Sequence, residues 1–349
     1  MDKSELQRLV KGGEVLGDQN LSGGDYAGVD IGGGIFERVN FADSDFSGAK
    51  FKECSFIKCD FSKAVLSGVN LHSANFVECR MENAELSGVK FEKTNFVKLA
   101  GAGICLKNAR FEKTSFVEAD LSDADLSGSS WNKSTLLKSK FGAADISNAT
   151  FSHAALMKAD LSKAKLEKTV FDTVILQESN LNGQVLSGAR IVCSQLRKCD
   201  LSDVRLDQAD LTQSSFMEAD MTRADLSGAS AKNCVFTRSK LAEAKLTGMV
   251  MDYAHFEEAD LQRADLSGSH MRFATLMQAQ CAGANFSGVD LTYGDLSHAD
   301  LAAADFSGAS LLGTNLHRVN DKATNWSRSS RNLAKETNPD RKEAEDWQT

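Results

Sequence analysis

A large apolar residue stands at every fifth position of this 349-residue chain from Leu16 to Leu316, without an insertion or deletion. Sixty-one positions belong to the series, and only Gly101, Ala231 and Cys281 lack a bulky side chain there. A period of five fits neither the 3.6-residue turn of an α-helix nor the two-residue alternation of a β-strand. The spacing therefore predicts a repeat architecture in which each unit buries its apolar residues only against its neighbours.

The position two residues before each of these central residues is small, as at Ala49, Cys54 and Ala159. One large and one small inward side chain leave three outward positions in every five residues. A second period of 20 residues is also present. Of the 15 central residues at positions 26, 46 and so on to 306, 11 are followed two positions later by a glycine. Because glycine tolerates a left-handed backbone, this rhythm predicts one distinctive corner per 20-residue, four-sided coil.

The segment Ala119-Asp120-Leu121-Ser122-Asp123 has the order small, Asp or Asn, large apolar, and two variable residues. In this pattern the chain resembles the pentapeptide-repeat proteins from about residue 14 to residue 326. The resemblance implies an all-β fold, a right-handed quadrilateral parallel β-helix, here of about fifteen coils. It implies little about activity, because one fold hosts unrelated functions.

Three regions follow from the repeat boundaries. Residues 1–15 are expected to form a capping segment whose short amphipathic helix ends at Gly12 and Gly13 and covers the first coil. Residues 16–326 form the β-helix, and Trp326 could close its far end. Residues 327–349 are polar and contain the chain's one proline, Pro339, so they are expected to be a flexible tail.

Composition points to a non-membrane, cytoplasmic protein. The chain has no apolar stretch of about 18 residues and no signal-like start. Five of its eight cysteines occupy the small inward position and are interpreted as buried replacements for alanine in a reducing compartment. Cys54 and Cys59 lie on adjacent faces but lack the second pair that zinc needs, so we expect no metal.

The sequence also predicts no enzyme. The six histidines fall at outward positions on several faces and are interpreted as solvated surface residues. Only His255 and His270 are expected to come near each other in the wound chain, and neither has a nucleophile beside it. A repeat without inserted loops has no means of building a cleft with convergent polar groups. We therefore expect no catalytic residue, no cofactor and no nucleic-acid ligand.

Aspartates are frequent in two adjacent outward columns, among them Asp120, Asp160, Asp200 and Asp225. Such residues commonly form turns with their own backbone. The alternative is an acidic ridge that imitates DNA, as implied by resemblance to the quinolone-resistance members that bind DNA gyrase. Duplex DNA carries one charge per ~1.7 Å, so a rod of ~70 Å would need on the order of 40 charges. The net charge of −8 is far smaller, and Lys140 interrupts one column.

One face carries an outward aliphatic residue in each of six successive coils, and we call this set the aliphatic row: Ile57, Val77, Val97, Val117, Leu137 and Met157. Lys58, Glu78, Lys98 and Glu118 flank it with mixed charge. An apolar strip with a polar rim is typical of an interaction site. The alternative is that β-branched residues simply suit an exposed sheet.

A second outward set, the aromatic ladder, consists of Tyr253, Phe273 and Tyr293 at 20-residue spacing. Surface aromatics in register suit a protein contact, although stacking between coils for stability explains them equally well.

Together these features predict a non-catalytic scaffold or adaptor that binds another protein or a second copy of itself. The opening Ser4–Gly13, followed by Leu21-Ser22-Gly23, resembles pentapeptide proteins encoded with type VI secretion systems. That resemblance implies an accessory role toward a secretion component or effector.

Overall fold

A computed structural model describes residues 1–347 of the chain. They form two compact units, Met1–Asn180 and Leu181–Thr349, the second described as far as Trp347. The first unit contains helix α1 (Lys3–Lys11) and thirteen three-residue strands, and the second contains β14 (Arg190–Val192), a 3-10 helix (Arg331–Leu333) and helix α2 (Pro339–Asp346). The strands of the first unit are β1 (Val15–Gly17), β2 (Ile35–Glu37), β3 (Ser55–Ile57), β4 (Asn75–Val77), β5 (Lys90–Glu92), β6 (Asn95–Val97), β7 (Arg110–Glu112), β8 (Ser115–Val117), β9 (Ser130–Asn132), β10 (Thr135–Leu137), β11 (Thr150–Ser152), β12 (Ala155–Met157) and β13 (Val170–Asp172).

The expected N-terminal helix is present. The Asp2 side chain caps α1 by accepting a hydrogen bond from the Glu5 backbone N–H at 2.9 Å. Leu6 and Val10 are buried, and the helix stops at Gly12. No helix within residues 1–347 combines the length and the apolar character that crossing a bilayer requires.

Parallel pairing between successive turns builds the first unit. One sheet has the order β1-β2-β3-β4-β6-β8-β10-β12, and each residue pairs with the residue 20 positions later, as Phe56 does with Phe76. A further bridge from Ala155 to Ile175 extends this face to nine successive turns. On another face, β5, β7, β9, β11 and β13 pair in the same way. The predicted parallel β-helix is thus confirmed.

The second unit keeps the same register but through single-residue bridges. One face is linked in succession through Gln195, Ser215, Val235, His255, Thr275, Asp295, Asn315 and Lys335. The central residues donate their N–H to a carbonyl of the next turn, as from Leu261 to Gln280 at 2.7 Å, except Leu311, which donates to Ser330 Oγ. The backbone groups of a turn are therefore satisfied by the turns on either side of it.

The small inward position adds a second tie between many of the turns when it carries a hydroxyl or thiol, although Ser239 Oγ bonds within its own turn and Ser139 Oγ has no partner among the described residues. Ser44 Oγ donates to the Leu21 carbonyl at 2.9 Å, and Thr94 Oγ1 donates to the Leu71 carbonyl at 2.8 Å. The same bond to a carbonyl of the preceding turn is made by Cys54, Thr169, Ser179, Ser214, Cys234, Ser269 and Thr314. Buried polar groups at these sites are thus paired.

The core consists of stacked central residues. Successive phenylalanines such as Phe56, Phe76 and Phe96 lie with ring centroids 4.8 and 5.0 Å apart and nearly parallel. Trp131 is fully buried, lies 3.6 Å from the Phe111 ring centroid, and donates Nε1–H to Ser129 Oγ at 2.8 Å. Aromatic pairs of this kind add about 0.5–1.5 kcal/mol beyond area burial.

The corners differ from the prediction made from glycine. A left-handed residue is not confined to one corner in four, since Asp43, Glu53 and Lys58 have φ of 59°, 60° and 54° at the other corners. The recurring glycines share that conformation, with φ of 68° at Gly68. A left-handed non-glycine residue costs about 1–2 kcal/mol, so the inter-turn hydrogen bonds, rather than glycine, impose the corner geometry.

The C-terminal segment also differs from the flexible tail expected for residues 327–349. Trp326 stacks on Phe306 at 4.7 Å, the Arg331 guanidinium lies over the Trp326 ring, and α2 packs against the last coils. Asn338 caps α2 by accepting the Arg341 N–H at 2.9 Å. Residues 348 and 349 lie outside the described residues.

A group of side chains that we call the C-terminal clasp holds α2. Glu345 Oε2 lies 3.2 Å from His317 Nε2 and 3.4 Å from His298 Nε2, while Glu345 Oε1 accepts from Arg341 Nε at 2.8 Å. Partial burial raises the pKa of Glu345, but the hydrogen bonds from His317 and Arg341 outweigh it and lower the pKa to about 2. The carboxylate is therefore ionised across the neutral and mildly acid range.

We expect Trp131→Ala to lower the free energy of unfolding by about 3–5 kcal/mol, because it removes the largest core side chain and leaves a cavity between packed turns. Urea unfolding followed by circular dichroism measures this. Val65→Ala is the control, since Val65 is 38% exposed and should cost less than about 1 kcal/mol. Equal losses for the two variants would contradict the stacked core.

We expect Glu345→Gln to reduce amide-exchange protection of α2 severalfold at neutral pH, because the neutral amide cannot replace the ionic contacts of the clasp. Glu343→Gln on the exposed side of the same helix is the control. The pKa of Glu345 is depressed in the folded state, so its contribution is complete above pH 4.5 and is lost as the pH falls toward 2. Protection that stays constant down to pH 2, after correction for intrinsic exchange rates, would contradict this.

Candidate docking surfaces

The structure brings the aliphatic row together on one sheet. Ile57 pairs with Val77, Val77 with Val97, Val97 with Val117, Val117 with Leu137, and Leu137 with Met157. All six side chains point outward and are half-buried by their neighbours in the row. Strand pairs lie about 4.8 Å apart, so the row is about 24 Å long. It is a continuous apolar strip rather than a set of isolated residues.

The two corners beside this strip differ in charge. On one side, the left-handed residues Lys58, Glu78 and Lys98 alternate in sign, with Lys58–Glu78 at 3.6 Å and Lys98–Glu78 at 3.8 Å. On the other side stand three left-handed lysines that we call the lysine column: Lys93, Lys113 and Lys133. The sequence reasoning noticed the mixed corner and missed the lysine column, although its 20-residue spacing is visible in the sequence.

The outward residues preceding the core column on this face are uncharged. Asn95 Nδ2 donates to Asn75 Oδ1 at 2.9 Å, so these amides pair with each other along the sheet. The strand backbones are paired with the turns before and after them. The face therefore offers side chains, and no free backbone edge, to a partner.

The aromatic ladder is present in the second unit. Tyr253 stacks on Phe273 with centroids 4.9 Å apart and ring planes 3° apart, and Phe273 stacks on Tyr293 at 5.4 Å. The three side chains are 52%, 44% and 53% exposed. Because the rings cover one another's faces, the ladder presents its ring edges to solvent.

All three ladder residues adopt left-handed backbone, with φ between 59° and 61°. This conformation is unfavourable for bulky residues. Two further exposed residues lie near the ladder through backbone contacts: Tyr293 N–H donates to the Leu312 carbonyl, and Gly313 N–H donates to the Leu333 carbonyl. Both leucines were missed from sequence, because their exposure depends on how the last turn is covered.

The aspartate columns serve the turns. Asp120 Oδ1 accepts the Ser122 N–H at 3.0 Å, and Asp225 Oδ1 accepts the Ser227 N–H at 3.0 Å. Equivalent bonds to the residue two positions on are made by Asp45, Asp60, Asp145, Asp160, Asp200, Asp210, Asp220, Asp260, Asp265, Asp290, Asp295, Asp300 and Asp305. Lys240 contacts Asp220 at 3.1 Å. The turn-forming interpretation accounts for the columns without a DNA-like ridge.

The expectation that all histidines are solvated is wrong for His317. It is 1% exposed, and its Nδ1 accepts the Asn338 backbone N–H at 3.2 Å. It also lies near His298, with ring centroids 5.4 Å apart, whereas the sequence placed only His255 and His270 close together. The position of α2, which covers His317, could not be inferred from the repeat.

His298, His317 and Glu345 are the one group within residues 1–347 with three ligand atoms close enough to hold a metal ion. A neutral imidazole has one acceptor nitrogen. Since Nδ1 of His317 accepts from Asn338, its Nε2 carries the proton and donates to Glu345. Arg318 lies 3.5 Å from the same carboxylate oxygen. The negative charge of the Glu345 carboxylate is therefore already balanced by its contacts with His317, Arg318 and Arg341, and the group acts as a hydrogen-bonded clasp.

A surface depression of about 600 Å³ lies beside the clasp and is lined by Tyr293, Asp295, His317, Lys335 and Arg341, with no Ser or Cys among its lining residues. Burial raises the pKa of the Cys54 thiol to about 12, so it stays protonated. Its Sγ donates to the Ile31 carbonyl at 2.9 Å, which is a structural role.

Two solved structures are among those that this chain is similar to. The full-length QnrB1 structure, a plasmid-mediated fluoroquinolone resistance protein, is 16% identical, with 66% of this chain and 98% of that chain covered and a TM-score of 0.38. HetL, a pentapeptide repeat protein involved in heterocyst differentiation regulation from the cyanobacterium Nostoc sp. strain PCC 7120, is 21% identical, with 88% and 96% covered and a TM-score of 0.22. These likenesses concern the fold alone. None of the curated proteins matches this chain.

Sequence models of protein families match most of the repeat. The family model described as "Pentapeptide repeat region" matches residues 30–104. The description "Pentapeptide repeats (8 copies)" matches residues 102–130, 138–172, 174–203, 199–238, 239–276, 254–292 and 284–320. The matched residues exceed half of the chain and coincide with the turns described above. The chain belongs to the pentapeptide-repeat family.

Proposed function

We propose that this protein is a non-catalytic scaffold or adaptor that binds another protein through the aliphatic row. The observation that carries the proposal is the register of the row: six aliphatic side chains from Ile57 to Met157 lie side by side on a flat parallel sheet. An apolar strip with a charged rim is the usual composition of a protein-binding patch.

Two further observations support this proposal. The face has no unpaired strand edge, so a partner must engage side chains rather than extend the sheet. Pentapeptide-repeat proteins are generally structural or interaction proteins rather than enzymes. The aromatic ladder is proposed as a second contact surface, for a partner or for a second copy of the chain.

The finer proposal is that the partner is a type VI secretion component or effector. Its support is the sequence resemblance of the opening segment Ser4–Gly13, followed by Leu21-Ser22-Gly23. Affinity purification from the native host identifies the partner directly.

We expect Val97→Asp combined with Val117→Asp to weaken capture of the partner at least about tenfold, because two carboxylates at the centre of the row would be desolvated on binding. Quantitative pull-down followed by mass spectrometry measures this, and gel filtration reports self-association. The matched control is Val65→Asp with Val185→Asp, which introduces the same charges at exposed aliphatic positions outside the row. The proposal fails if the row variant retains every association of the wild type while remaining folded by circular dichroism.

We also expect the purified protein to leave DNA supercoiling by gyrase unchanged at micromolar concentration, because its aspartates are engaged in turns. Inhibition or protection of supercoiling, abolished when Asp120, Asp160 and Asp200 are changed to Lys, would instead establish the DNA-mimicking alternative.

A further inference from the structure

The charge around the aliphatic row contrasts with that of the whole chain. The chain has a net charge of −8. The two corners beside the row nevertheless carry seven lysines and three glutamates: Lys58, Lys93, Lys98, Lys113, Lys133, Lys138, Lys158, Glu53, Glu78 and Glu118. Each corner has two more lysines than glutamates, but the corner of Lys58, Lys98, Lys138 and Lys158 is paired, because these lysines contact Glu78, Glu118 and Glu178.

The lysine column has no such compensation. Lys93, Lys113 and Lys133 are exposed and follow one another turn by turn, since Lys93 N–H donates to the Glu112 carbonyl and Lys113 N–H to the Asn132 carbonyl, both at 3.0 Å. None of the three has an ion-pair partner in the part of the chain that the structure describes. Like charges directly opposite on paired strands are destabilising.

The carboxylates of Glu92 and Glu112, which directly precede Lys93 and Lys113 in the chain, contact other groups. Glu92 contacts Lys90 at 3.4 Å and His72 at 3.6 Å. Glu112 accepts a hydrogen bond from Asn132 Nδ2 at 2.6 Å. An anionic group placed beside the lysine column would therefore meet three unpaired ammonium groups, separated from the aliphatic row by the uncharged column of Asn75, Asn95 and Ser115.

The spacing of the row selects the conformation of the partner. The turns of the protein recur about every 4.8 Å along the row. Same-side residues of a partner strand laid along the row would recur about every 6.6–6.8 Å, so they would no longer match the row after two turns. One turn of an α-helix advances about 5.4 Å, which stays closer to the row. A helix also satisfies its own backbone, as this face requires, and about 16 helical residues span the row's length of about 24 Å.

From these observations we propose that the aliphatic row and the lysine column together bind an amphipathic α-helix whose apolar stripe is bordered by acidic residues. The proposal rests on the proposed function of the row and names the chemistry of its partner. The apolar stripe lies on Val97 and Val117 and their neighbours, and the acidic border faces Lys93, Lys113 and Lys133.

The test uses two fluorescein-labelled synthetic helices of about 18 residues, with leucine at i, i+3, i+4 and i+7 and either Glu or Lys beside the leucines. Fluorescence anisotropy measures their binding to the full-length protein. We expect saturable binding of the Glu peptide, at least about tenfold tighter than that of the Lys peptide, and weaker at about 200 mM than at about 50 mM salt.

Changing the lysine column with Lys93→Glu, Lys113→Glu and Lys133→Glu should weaken binding of the Glu peptide at least about tenfold. The control Lys63→Glu, Lys107→Glu and Lys163→Glu makes the same change in net charge at exposed positions elsewhere and should alter binding less than about threefold. Circular dichroism verifies that each variant is folded.

The outcomes separate this inference from the proposed function. Equal binding of both peptides, lost on Val97→Asp with Val117→Asp, would overturn the acidic partner and leave the row as a docking surface. If the Glu peptide still binds the row variant, or if its binding falls equally in both lysine variants, the attraction is non-specific and the inference is overturned. Absence of saturable binding by the Glu peptide would overturn it as well.

Discussion

The pairing of each residue with its counterpart in the next turn is the constraint from which the other features of this protein follow. Every turn donates and accepts backbone hydrogen bonds with the turns before and after it, as between Leu261 and Gln280. The register cannot slip by one residue without exposing the large central side chains. A single residue inserted within a turn would shift every later residue out of its column, which explains why the five-residue count stays constant from Leu16 to Leu316.

The same constraint turns the surface into columns. A side chain at any outward position has its closest neighbours at the same position of the turns before and after it, so charge and shape add up along the stack. The corner of Lys58, Glu78 and Lys98 alternates in sign and neutralises itself. The lysine column does not, and the aliphatic row lies between the two. A flat face with different chemistry in each column can distinguish partners without a cleft.

The strained corners show how the register overrides local preference. Tyr253, Phe273 and Tyr293 adopt a left-handed backbone that bulky residues disfavour, and their rings stack on one another. The aspartates make a smaller local contribution by accepting the N–H two residues later, as Asp120 does from Ser122. Contacts within the repeat account for both features, so neither the ladder nor the aspartates are evidence for catalysis or DNA binding.

Periodicity in the amino-acid sequence was enough to predict the β-helix, its 20-residue turn, the stacked core and the membership of the aliphatic row and aromatic ladder. These depend only on periodicity, because residues one turn apart must be neighbours once the turn length is fixed. The left-handed geometry at all four corners, the burial of His317 and the docking of α2 became visible in the folded chain alone. Those depend on hydrogen-bond directions and on a non-repeating segment, for which no period indicates where Glu345 meets His298 and His317.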